Sequence, residues 1–414
     1  MDAPTSATAA LESSGVETPY AWRRLVISLV LSTIGGVGLW SAVVVLPAVQ
    51  AEFGAARAGA SLPYTATMVG FALGGILMGR IADRVGIIFP VIGGVIALGV
   101  GYIAAAQTTT LWQFALVQGL VIGLVGASTT FGPLIADVSH WFTRNRGIAM
   151  AVCASGSYLS GTVWPPILQR LIDAYGWRHT HLGIGIFCVA TMLPLSLGLR
   201  RRTPVLHGAA PALATSVGPS VLRLSPNVLQ MLLAVAGFSC CVAMSMPQVH
   251  IVAYCSDLGY GVARGAEMLS LMLGTGVVSR LLSGWISDRI GGAKTLLLGS
   301  ALQALTLAFY LPFNGLTSLY VVSALFGLSQ GGIVPSYAMI VREYFAPQEA
   351  GARLGLILMA TIFGMAVGGW MSGAVFDLTG SYRAAFLNGI LWNLLNLSIA
   401  LWLLRQPRAR QAHA

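Results

Sequence analysis

Charged side chains are scarce in this sequence, at 9% of its 414 residues, whereas hydrophobic residues make up 56%. Soluble chains carry roughly a quarter charged residues, so this chain has too few polar groups to cover a surface that faces water. Much of its surface must therefore face lipid. The 50 glycines fit this interpretation, because small residues let membrane helices pack closely. The composition excludes the soluble domains that the length alone would allow.

Several functional signatures are also missing. The sequence contains no P-loop, nucleophile elbow or His-rich metal cluster, which argues against an enzyme and against a cofactor. The net charge of +10 does not indicate a nucleic-acid partner, because the basic residues are scattered between apolar runs. The five cysteines lack metal-ligand or redox spacing, so we interpret them as small apolar fillers. They are Cys153, Cys188, Cys240, Cys241 and Cys255.

Apolar runs of about twenty residues recur along the chain and predict twelve transmembrane helices. The predicted spans are 24–49, 62–82, 86–106, 111–137, 147–169, 179–199, 227–254, 266–287, 295–313, 317–340, 352–375 and 384–404. The sequence thus predicts an all-α membrane protein with two pseudo-symmetric six-helix bundles, residues 22–200 and 227–405.

The segments outside the bundles are polar. Residues 201–226 are predicted to be a cytoplasmic linker, since they are basic at the start and rich in Pro, Ala and Ser. Residues 1–21 are predicted to be a disordered tail rather than a cleaved signal peptide, and 406–414 a second tail. Lys and Arg concentrate on the side that holds both tails. We therefore expect a multi-pass protein of a bacterial inner membrane with both termini cytoplasmic.

The two halves of the sequence repeat each other. The segment Gly79–Gly86 returns as Gly284–Gly291, and Asp173–Arg178 returns as Asp377–Arg383 at nearly the same offset. The Gly-x-x-x-Asp-Arg-x-Gly loops resemble the signature loop of the major facilitator superfamily. This resemblance implies parallel six-helix repeats with a central site between the halves.

By the same resemblance, the charged residues of these loops gate the cytoplasmic side. They are Asp83 and Arg84 in the first loop, and Asp288 and Arg289 in the second. The first loop departs from the family pattern, because Ile87 and Ile88 stand where basic residues usually close it. The alternative is that these charges only fix the topology and the tight turns.

A narrower resemblance covers the predicted helices 4 and 5. Its motifs are Trp141–Ala151, Ala154–Ser157, Pro165–Pro166 and Tyr175–Arg178. These motifs resemble the corresponding region of the monocarboxylate transporters and of the oxalate/formate antiporters. The resemblance implies transport of small carboxylates, either with protons or by exchange.

One basic residue, Arg280, lies well inside a predicted span. At 1.5 Å per residue it sits roughly 20 Å below the outer end of a ~30 Å hydrocarbon core. Burying it costs at least about 2.5–3.5 kcal/mol, and the Asp and Glu residues all fall in tails, loops or span ends, with Asp137 and Asp257 the closest to apolar segments. A guanidinium can hold a carboxylate through two parallel hydrogen bonds, and the resembled family places a substrate-binding arginine in helix 8. The alternative is a structural arginine satisfied by backbone carbonyls.

Three positions depart from the relatives. Animal-type relatives carry an acid one turn before the helix 8 arginine, where this sequence has Gly276. They also carry a lysine in helix 1, where this sequence has Ser41. No lysine occurs in 352–375, where the oxalate/formate type carries one. A single fixed positive charge favours a monoanion over a dianion and leaves the proton-coupling group open.

Candidates for proton coupling are His250 and Asp257, on one face of helix 7 with Tyr254 between them. Histidine titrates near neutral pH without help, and Pro247 breaks this helix locally. The alternative is a histidine that is simply hydrogen-bonded in place.

Other polar groups are predicted to line the cavity, although a hydroxyl in a membrane helix most often bonds its own backbone. The substrate-binding candidates besides Arg280 and His250 are Tyr254, Gln118, Gln330 and Tyr337, the last of which follows Pro335. Further cavity candidates are Ser128, Thr129, Ser157, Tyr158 and Ser336.

These features together predict a secondary active transporter of small organic anions. A monocarboxylate such as lactate, pyruvate or formate is expected, carried with protons by alternating access through a monomer. The alternatives are a carboxylate exchanger and an efflux carrier for a larger amphipathic compound. Efflux of cationic drugs is disfavoured because no acid lies inside a span, and a membrane enzyme or receptor is a distant third.

Overall fold

A computed structural model describes residues 17–201, 225–345 and 347–406 of the chain. Most of the predicted linker, 201–226, and most of the predicted tails, 1–21 and 406–414, lie outside these described residues. The first described helix begins at Pro19, where Thr18 accepts a hydrogen bond from the N–H of Ala21. Pro suits the first turn of a helix because the N–H it lacks would have no partner there.

The described residues form helices and no strands, and eleven apolar helical stretches are long enough to cross a membrane. We label them α1 (Pro19–Val44), α2 (Arg57–Val85), α3 (Ile88–Ala106), α4 (Leu111–Ser139), α5 and α6 (both within Arg146–Leu199), α7 (Pro226–Asp257), α8 (Val262–Ile290), α9 (Gly292–Phe309), α10 (Leu316–Tyr344), α11 (Glu349–Thr379) and α12 (Tyr382–Arg405).

The stretch Arg146–Leu199 is 54 residues long, about twice the length that one crossing needs. Gly176 interrupts it with a φ of 75° and a ψ of 159°, a conformation that glycine adopts without steric cost. We place the end of α5 and the start of α6 at this residue. The described residues therefore contain twelve membrane-spanning helices, and the predicted all-α membrane fold is confirmed.

The first predicted span, 24–49, is wrong at its end. In the structure α1 ends at Val44 and a separate short helix, Leu46–Phe53, follows it. Pro47 explains the break, because it has no N–H to donate to the preceding turn.

The described residues divide into two compact units, one holding 17–45 and 66–201, and the other holding 46–65 and 225–406. The second unit thus includes a segment that the repeat assigns to the first half of the sequence. The predicted bundle boundaries at 22–200 and 227–405 stay a prediction.

Glycine allows close helix packing inside each unit. In the first unit, a Cβ added to Gly70 of α2 would collide with the carbonyl oxygen of Gly119 in α4. In the second unit, a Cβ added to Gly327 of α10 would collide with the carbonyl oxygen of Met272 in α8. Both pairs bring backbones into direct contact, as small residues do between membrane helices.

A buried ion pair joins three helices of the first unit. The guanidinium of Arg24 in α1 donates from Nε (2.7 Å) and Nη2 (2.8 Å) to the two carboxylate oxygens of Asp137 in α4. Its Nη1 donates to the carbonyl oxygens of Leu199 and Arg201 and to the Tyr20 hydroxyl, each at 3.1 Å. The Arg24 and Asp137 side chains are 1% and 4% exposed. This pair fixes the end of α6 against α1 and α4.

Candidate functional site

Arg280 lies in α8 and is half-buried. Its backbone is packed against α10, since a Cβ added to Gly331 would lie 3.0 Å from the Arg280 nitrogen and would collide with the Gly276 carbonyl oxygen. A Cβ added to Gly332 would collide with Ser283, one turn further along α8. The two glycines thus allow α10 to pack directly against α8 beside Arg280.

Two glutamine side chains meet at this level of the second unit. The Nε2 of Gln248 in α7 donates to the Oε1 of Gln330 in α10 at 2.9 Å, and both residues are buried. Gln330 directly precedes Gly331, which touches the backbone of Arg280. Among the described residues, Gln248 Oε1 and Gln330 Nε2 have no hydrogen-bond partner. Whichever way the two amides are oriented, the pair offers one donor and one acceptor to a ligand.

His250 is fully buried in α7 and bonded at both ring nitrogens. Its Nε2 lies 2.8 Å from the carbonyl oxygen of Gly369 in α11, and its Nδ1 lies 3.3 Å from the hydroxyl oxygen of Tyr382 in α12. A carbonyl can only accept, so Nε2 carries a proton and donates to Gly369. The Tyr382 hydroxyl can donate to Nδ1 of a neutral ring or accept from Nδ1 of a protonated one, so both protonation states keep the two contacts.

Tyr254 lies one turn beyond His250 and packs against the same tyrosine. Its ring centroid is 5.3 Å from that of Tyr382 and 5.5 Å from that of Phe386. The structure therefore brings two of the predicted substrate-binding residues, His250 and Tyr254, together around Tyr382.

Asp257 ends α7 and binds Arg57, the first residue of α2. The Nη2 of Arg57 lies 2.8 and 2.9 Å from the two Asp257 carboxylate oxygens. The Arg57 guanidinium also lies over the rings of Phe376 (4.9 Å) and Tyr382 (5.7 Å). The predicted proton-coupling candidates His250 and Asp257 are thus connected through Tyr382 and Arg57.

A second carboxylate, that of Asp377 near the end of α11, caps the start of α2. It accepts hydrogen bonds of 2.8 Å from the backbone N–H groups of Arg57 and Ala58. A carboxylate at this position satisfies free donors and is favoured by the helix dipole. No sequence signal indicated this role, since Asp377 stood out only as the first residue of the repeated segment Asp377–Arg383.

Tyr337 lies in the core of the second unit. It is fully buried, and its hydroxyl donates to the Oδ1 of Asn396 in α12 at 3.0 Å. The Nδ2 of Asn396 donates in turn to Ser300 Oγ (2.7 Å), and Asn393 Nδ2 donates to the Ser300 carbonyl oxygen (2.8 Å). These contacts favour a structural role for Tyr337 in joining α9, α10 and α12.

Gln118 is fully buried in the first unit. Its Oε1 lies 3.5 Å from the Thr67 hydroxyl, and its Nε2 has no hydrogen-bond partner among the described residues. The hydroxyls predicted to line the cavity bond carbonyls of their own helices, as hydroxyls in membrane helices commonly do. These bonds are Ser128 to Leu124 (2.6 Å), Thr129 to Gly126 (2.8 Å), Ser157 to Ala154 (3.1 Å) and Ser336 to Gly332 (2.8 Å).

The four charged residues predicted to gate the cytoplasmic side are all exposed: Asp83, Arg84, Asp288 and Arg289. The Arg289 guanidinium lies 3.3 Å from the centre of the Trp285 ring. The carboxylate that accepts from the start of α9 is that of Glu343, which lies 2.8 Å from the Gly292 nitrogen. The carboxylate at the start of α9 therefore comes from the end of α10 and not from the loop that holds Asp288.

Comparisons with known proteins identify the relatives of this chain. The model of the Major Facilitator Superfamily matches residues 28–318 and 268–414. Monocarboxylate transporter 13 from Bos taurus is 30% identical over 305 residues, which cover 72% of this chain and 69% of that protein. The Agnestins efflux protein AgnL12 from Paecilomyces divaricatus is 23% identical over 328 residues, which cover 78% and 73%.

A solved structure shares the fold. It is a bacterial homolog of the human lysosomal transporter Spinster, in an inward-facing and occupied conformation. It superposes with a TM-score of 0.74 at 13% identity, over 96% of this chain and 100% of that one. At this identity the likeness extends to the arrangement of the helices alone.

Proposed function

Because the chain belongs to the major facilitator superfamily, we propose that it is a secondary active transporter of small monocarboxylates, such as lactate or pyruvate. The observation that carries this proposal is Arg280, a cation inside a membrane-spanning helix beside the amide pair of Gln248 and Gln330. The similarity to monocarboxylate transporter 13 supports the same substrate class.

The chemistry of these side chains suits a small carboxylate. A guanidinium inside the membrane costs at least about 2.5–3.5 kcal/mol, and such residues typically mark a substrate path. Its planar fork can grip a carboxylate through two parallel hydrogen bonds. The Gln248–Gln330 pair adds one donor and one acceptor on the neighbouring helices, which suit a hydroxyl or keto oxygen of the same substrate.

The lack of further fixed charges at positions where the relatives carry them supports a monoanion as the substrate. In the first unit, Ser41, which stands where animal-type relatives carry a lysine, is buried with its hydroxyl 2.8 Å from that of Tyr102. Gly276 packs against Gly331 and supplies no acid. We therefore assign to Arg280 the binding of one substrate carboxylate in the proposed site. The proposal includes a monomer in a bacterial inner membrane with both termini cytoplasmic, where Lys and Arg concentrate.

The first test is a thermal-shift screen of the purified full-length protein against lactate, pyruvate, formate, oxalate and lactamide. Lactate and pyruvate are expected to raise the melting temperature, because a ligand at 100 times its Kd stabilises a protein by about 2.7 kcal/mol. Lactamide, which lacks the carboxylate, is expected to have no effect. Stabilisation by oxalate alone would replace this proposal with a dicarboxylate exchanger.

The second prediction concerns proton coupling through His250. In proteoliposomes, an outside-acid pH gradient is expected to drive lactate uptake, with about tenfold accumulation per pH unit for one proton per anion, since each factor of ten corresponds to 1.4 kcal/mol. His250→Gln removes the titratable group and is expected to abolish this dependence while lactate exchange continues.

His181→Gln is the matched control for this experiment, since His181 is also buried but lies in the first unit and bonds the Trp177 carbonyl oxygen through Nδ1 (2.9 Å). The pH gradient should drive uptake in this variant as in the natural protein. If uptake in the natural protein depends only on anions loaded inside the vesicle, the protein is an exchanger and His250 carries no proton.

A second candidate function is efflux of a larger amphipathic compound. The similarity to the Agnestins efflux protein AgnL12 supports it. The thermal-shift screen separates the two candidates when aromatic carboxylates are added to the panel, since an efflux carrier of this kind binds these in preference to lactate.

A further inference from the structure

Two buried amide side chains of the second unit have a fixed orientation. Gln303 in α9 donates from Nε2 to the carbonyl oxygen of Cys240 in α7 at 3.3 Å. Asn393 in α12 donates from Nδ2 to the carbonyl oxygen of Ser300 in α9 at 2.8 Å. A carbonyl oxygen can only accept, so neither amide can be flipped without losing this bond. The oxygens Gln303 Oε1 and Asn393 Oδ1 are therefore fixed as acceptors that point away from the two carbonyls.

These two amide oxygens and one hydroxyl of α7 share an unusual feature. Among the described residues, Gln303 Oε1, Asn393 Oδ1 and Ser239 Oγ have no hydrogen-bond partner. All three side chains are 0% exposed. Leaving a buried polar atom without a hydrogen bond destabilises a protein, and nearly all such atoms in native proteins have a partner. Three exceptions within one unit therefore point to a ligand that all of them can bind.

The three atoms lie at one level of the second unit. Gly389 of α12 marks a point of close contact, since a Cβ added there would lie 3.8 Å from Ala243 of α7 and 4.0 Å from Leu307 of α9. Consecutive membrane-spanning helices alternate in direction, so α7 and α9 run together and α12 runs opposite to them. One helical turn from the contact, toward the start of α7, therefore leads to the same level in all three helices. The residues at this level are Ser239, Gln303 and Asn393.

Two further contacts support this alignment. Phe238 of α7 packs edge-to-face against Trp392 of α12, with ring centroids 5.7 Å apart. These two residues directly precede Ser239 and Asn393 in the chain. Gln303 of α9 bonds the carbonyl of the residue that directly follows Ser239. The three helices thus bring the three polar atoms into one region.

The chemistry of the three atoms suits a water molecule. An amide oxygen can only accept a hydrogen bond, whereas a hydroxyl can donate or accept. One water that donates to both amide oxygens and accepts from the hydroxyl makes three hydrogen bonds, the usual number for a buried water. A divalent cation is disfavoured, because Ca²⁺ and Mg²⁺ bind through carboxylates and these three side chains carry no charge.

We propose that a water molecule binds between α7, α9 and α12, where it donates to Gln303 Oε1 and Asn393 Oδ1 and accepts from Ser239 Oγ. The water extends to α7 the hydrogen-bonded core that Tyr337 and Asn396 form between α9, α10 and α12. It is a structural ligand of the second unit. The site goes beyond the proposed function, because it holds whatever substrate the chain carries.

The direct test is an experimental structure of the purified full-length protein that resolves ordered waters. One density peak is expected within about 2.5–3.2 Å of Gln303 Oε1, Asn393 Oδ1 and Ser239 Oγ. Well-defined side chains with no peak between them would overturn the water site. A peak that contacts only one of the three atoms would do the same.

A double-mutant cycle tests the site without a structure. Ser239→Ala and Gln303→Leu each remove one partner of the water, and the second substitution costs less once the first has weakened its binding. The fall in melting temperature of the combined variant is therefore expected to be smaller than the sum of the two single falls by at least about 2 °C. Strictly additive falls would overturn the proposal, because Ser239 and Gln303 would then share no partner.

Ser239→Ala combined with Ser398→Ala is the matched control. Ser398 is an exposed serine of α12 that bonds the Leu394 carbonyl oxygen of its own helix at 2.7 Å. The two serines share no proposed partner, so their effects on the melting temperature are expected to add.

A salt series distinguishes water from a monovalent cation. The melting temperature of the natural protein is expected to be the same in NaCl, KCl and choline chloride at equal concentration, since water is present in all three. Stabilisation by NaCl alone that disappears in Gln303→Leu would mean that sodium is the ligand, and would overturn the water site.

Discussion

Arg280→Ala is expected to reduce lactate uptake by at least about 100-fold while the protein stays folded in the membrane. Each hydrogen bond to a charged group contributes about 1.5–3 kcal/mol, and the loss of 2.7 kcal/mol corresponds to a factor of 100. Arg280→Lys keeps the charge but loses the planar fork, so we expect an intermediate loss of about tenfold. Initial uptake rates in proteoliposomes at matched protein content measure both effects.

Arg264→Ala provides the control on the same helix. Arg264 is exposed near the start of α8 and pairs with Glu267 one turn away, so its loss is expected to leave uptake unchanged. The thermal-shift response to lactate gives an independent readout, which Arg280→Ala should abolish. Uptake by Arg280→Ala at the rate of the natural protein would mean that Arg280 does not bind the substrate.

The fold could be predicted from the sequence because each membrane-spanning helix corresponds to one continuous stretch of apolar residues. A helix that crosses lipid must satisfy its own backbone, so about twenty apolar residues suffice to identify it. The error in the first span lies where a single residue decides the geometry, because Pro47 separates Leu46–Phe53 from α1. Gly176, by contrast, divides the 54-residue stretch between the predicted spans 147–169 and 179–199. Such effects depend on local backbone geometry that hydropathy does not record.

The partners of the charged residues could not be read from the sequence. Arg24 and Asp137 are 113 positions apart, and Arg57 and Asp257 are 200 apart. Both arginines stood at the ends of apolar runs, where basic residues usually mark topology. Only the packing of the helices decides that Asp137 and Asp257 bind these arginines. The two acids that lie closest to the apolar segments therefore pair with Arg24 and Arg57 rather than with Arg280.

The candidate site was predicted only in part for the same reason. Polarity in an apolar helix identified His250 and Gln330, but Gln248, which bonds Gln330, was overlooked. Its signal was available, since it is a polar residue directly after Pro247 in an otherwise apolar run. Tyr337, which was predicted to bind substrate because it follows Pro335, is fully buried and bonds Asn396, and its role in binding stays a prediction. The spacing of polar residues shows which of them share a face of a helix. It does not show whether that face meets a cavity or a neighbouring helix.

Arg24→Met is expected to destabilise the protein by about 3–5 kcal/mol, because removing one partner of a buried ion pair leaves the other charge without compensation. The Asp137 carboxylate is 4% exposed and would lose both of its bonds to the guanidinium. The carbonyl oxygens of Leu199 and Arg201 would lose donors as well. The melting temperature in detergent and the fraction that stays monodisperse on heating measure the loss.

The double variant Arg24→Met with Asp137→Leu separates two contributions to stability. One is the penalty for leaving the Asp137 carboxylate buried without its partner, and the other is the net stabilisation by the ion pair. Replacing a buried ion pair by apolar side chains of similar volume is often neutral, so the double variant is expected to recover most of the lost melting temperature. Arg264→Ala, which breaks an exposed pair, should melt like the natural protein. If Arg24→Met also melts like the natural protein, water reaches Asp137 and the pair does not clamp α1, α4 and α6. If instead the double variant is as unstable as the single one, the bonds to Leu199 and Arg201, rather than the buried charge, hold the end of α6 in place.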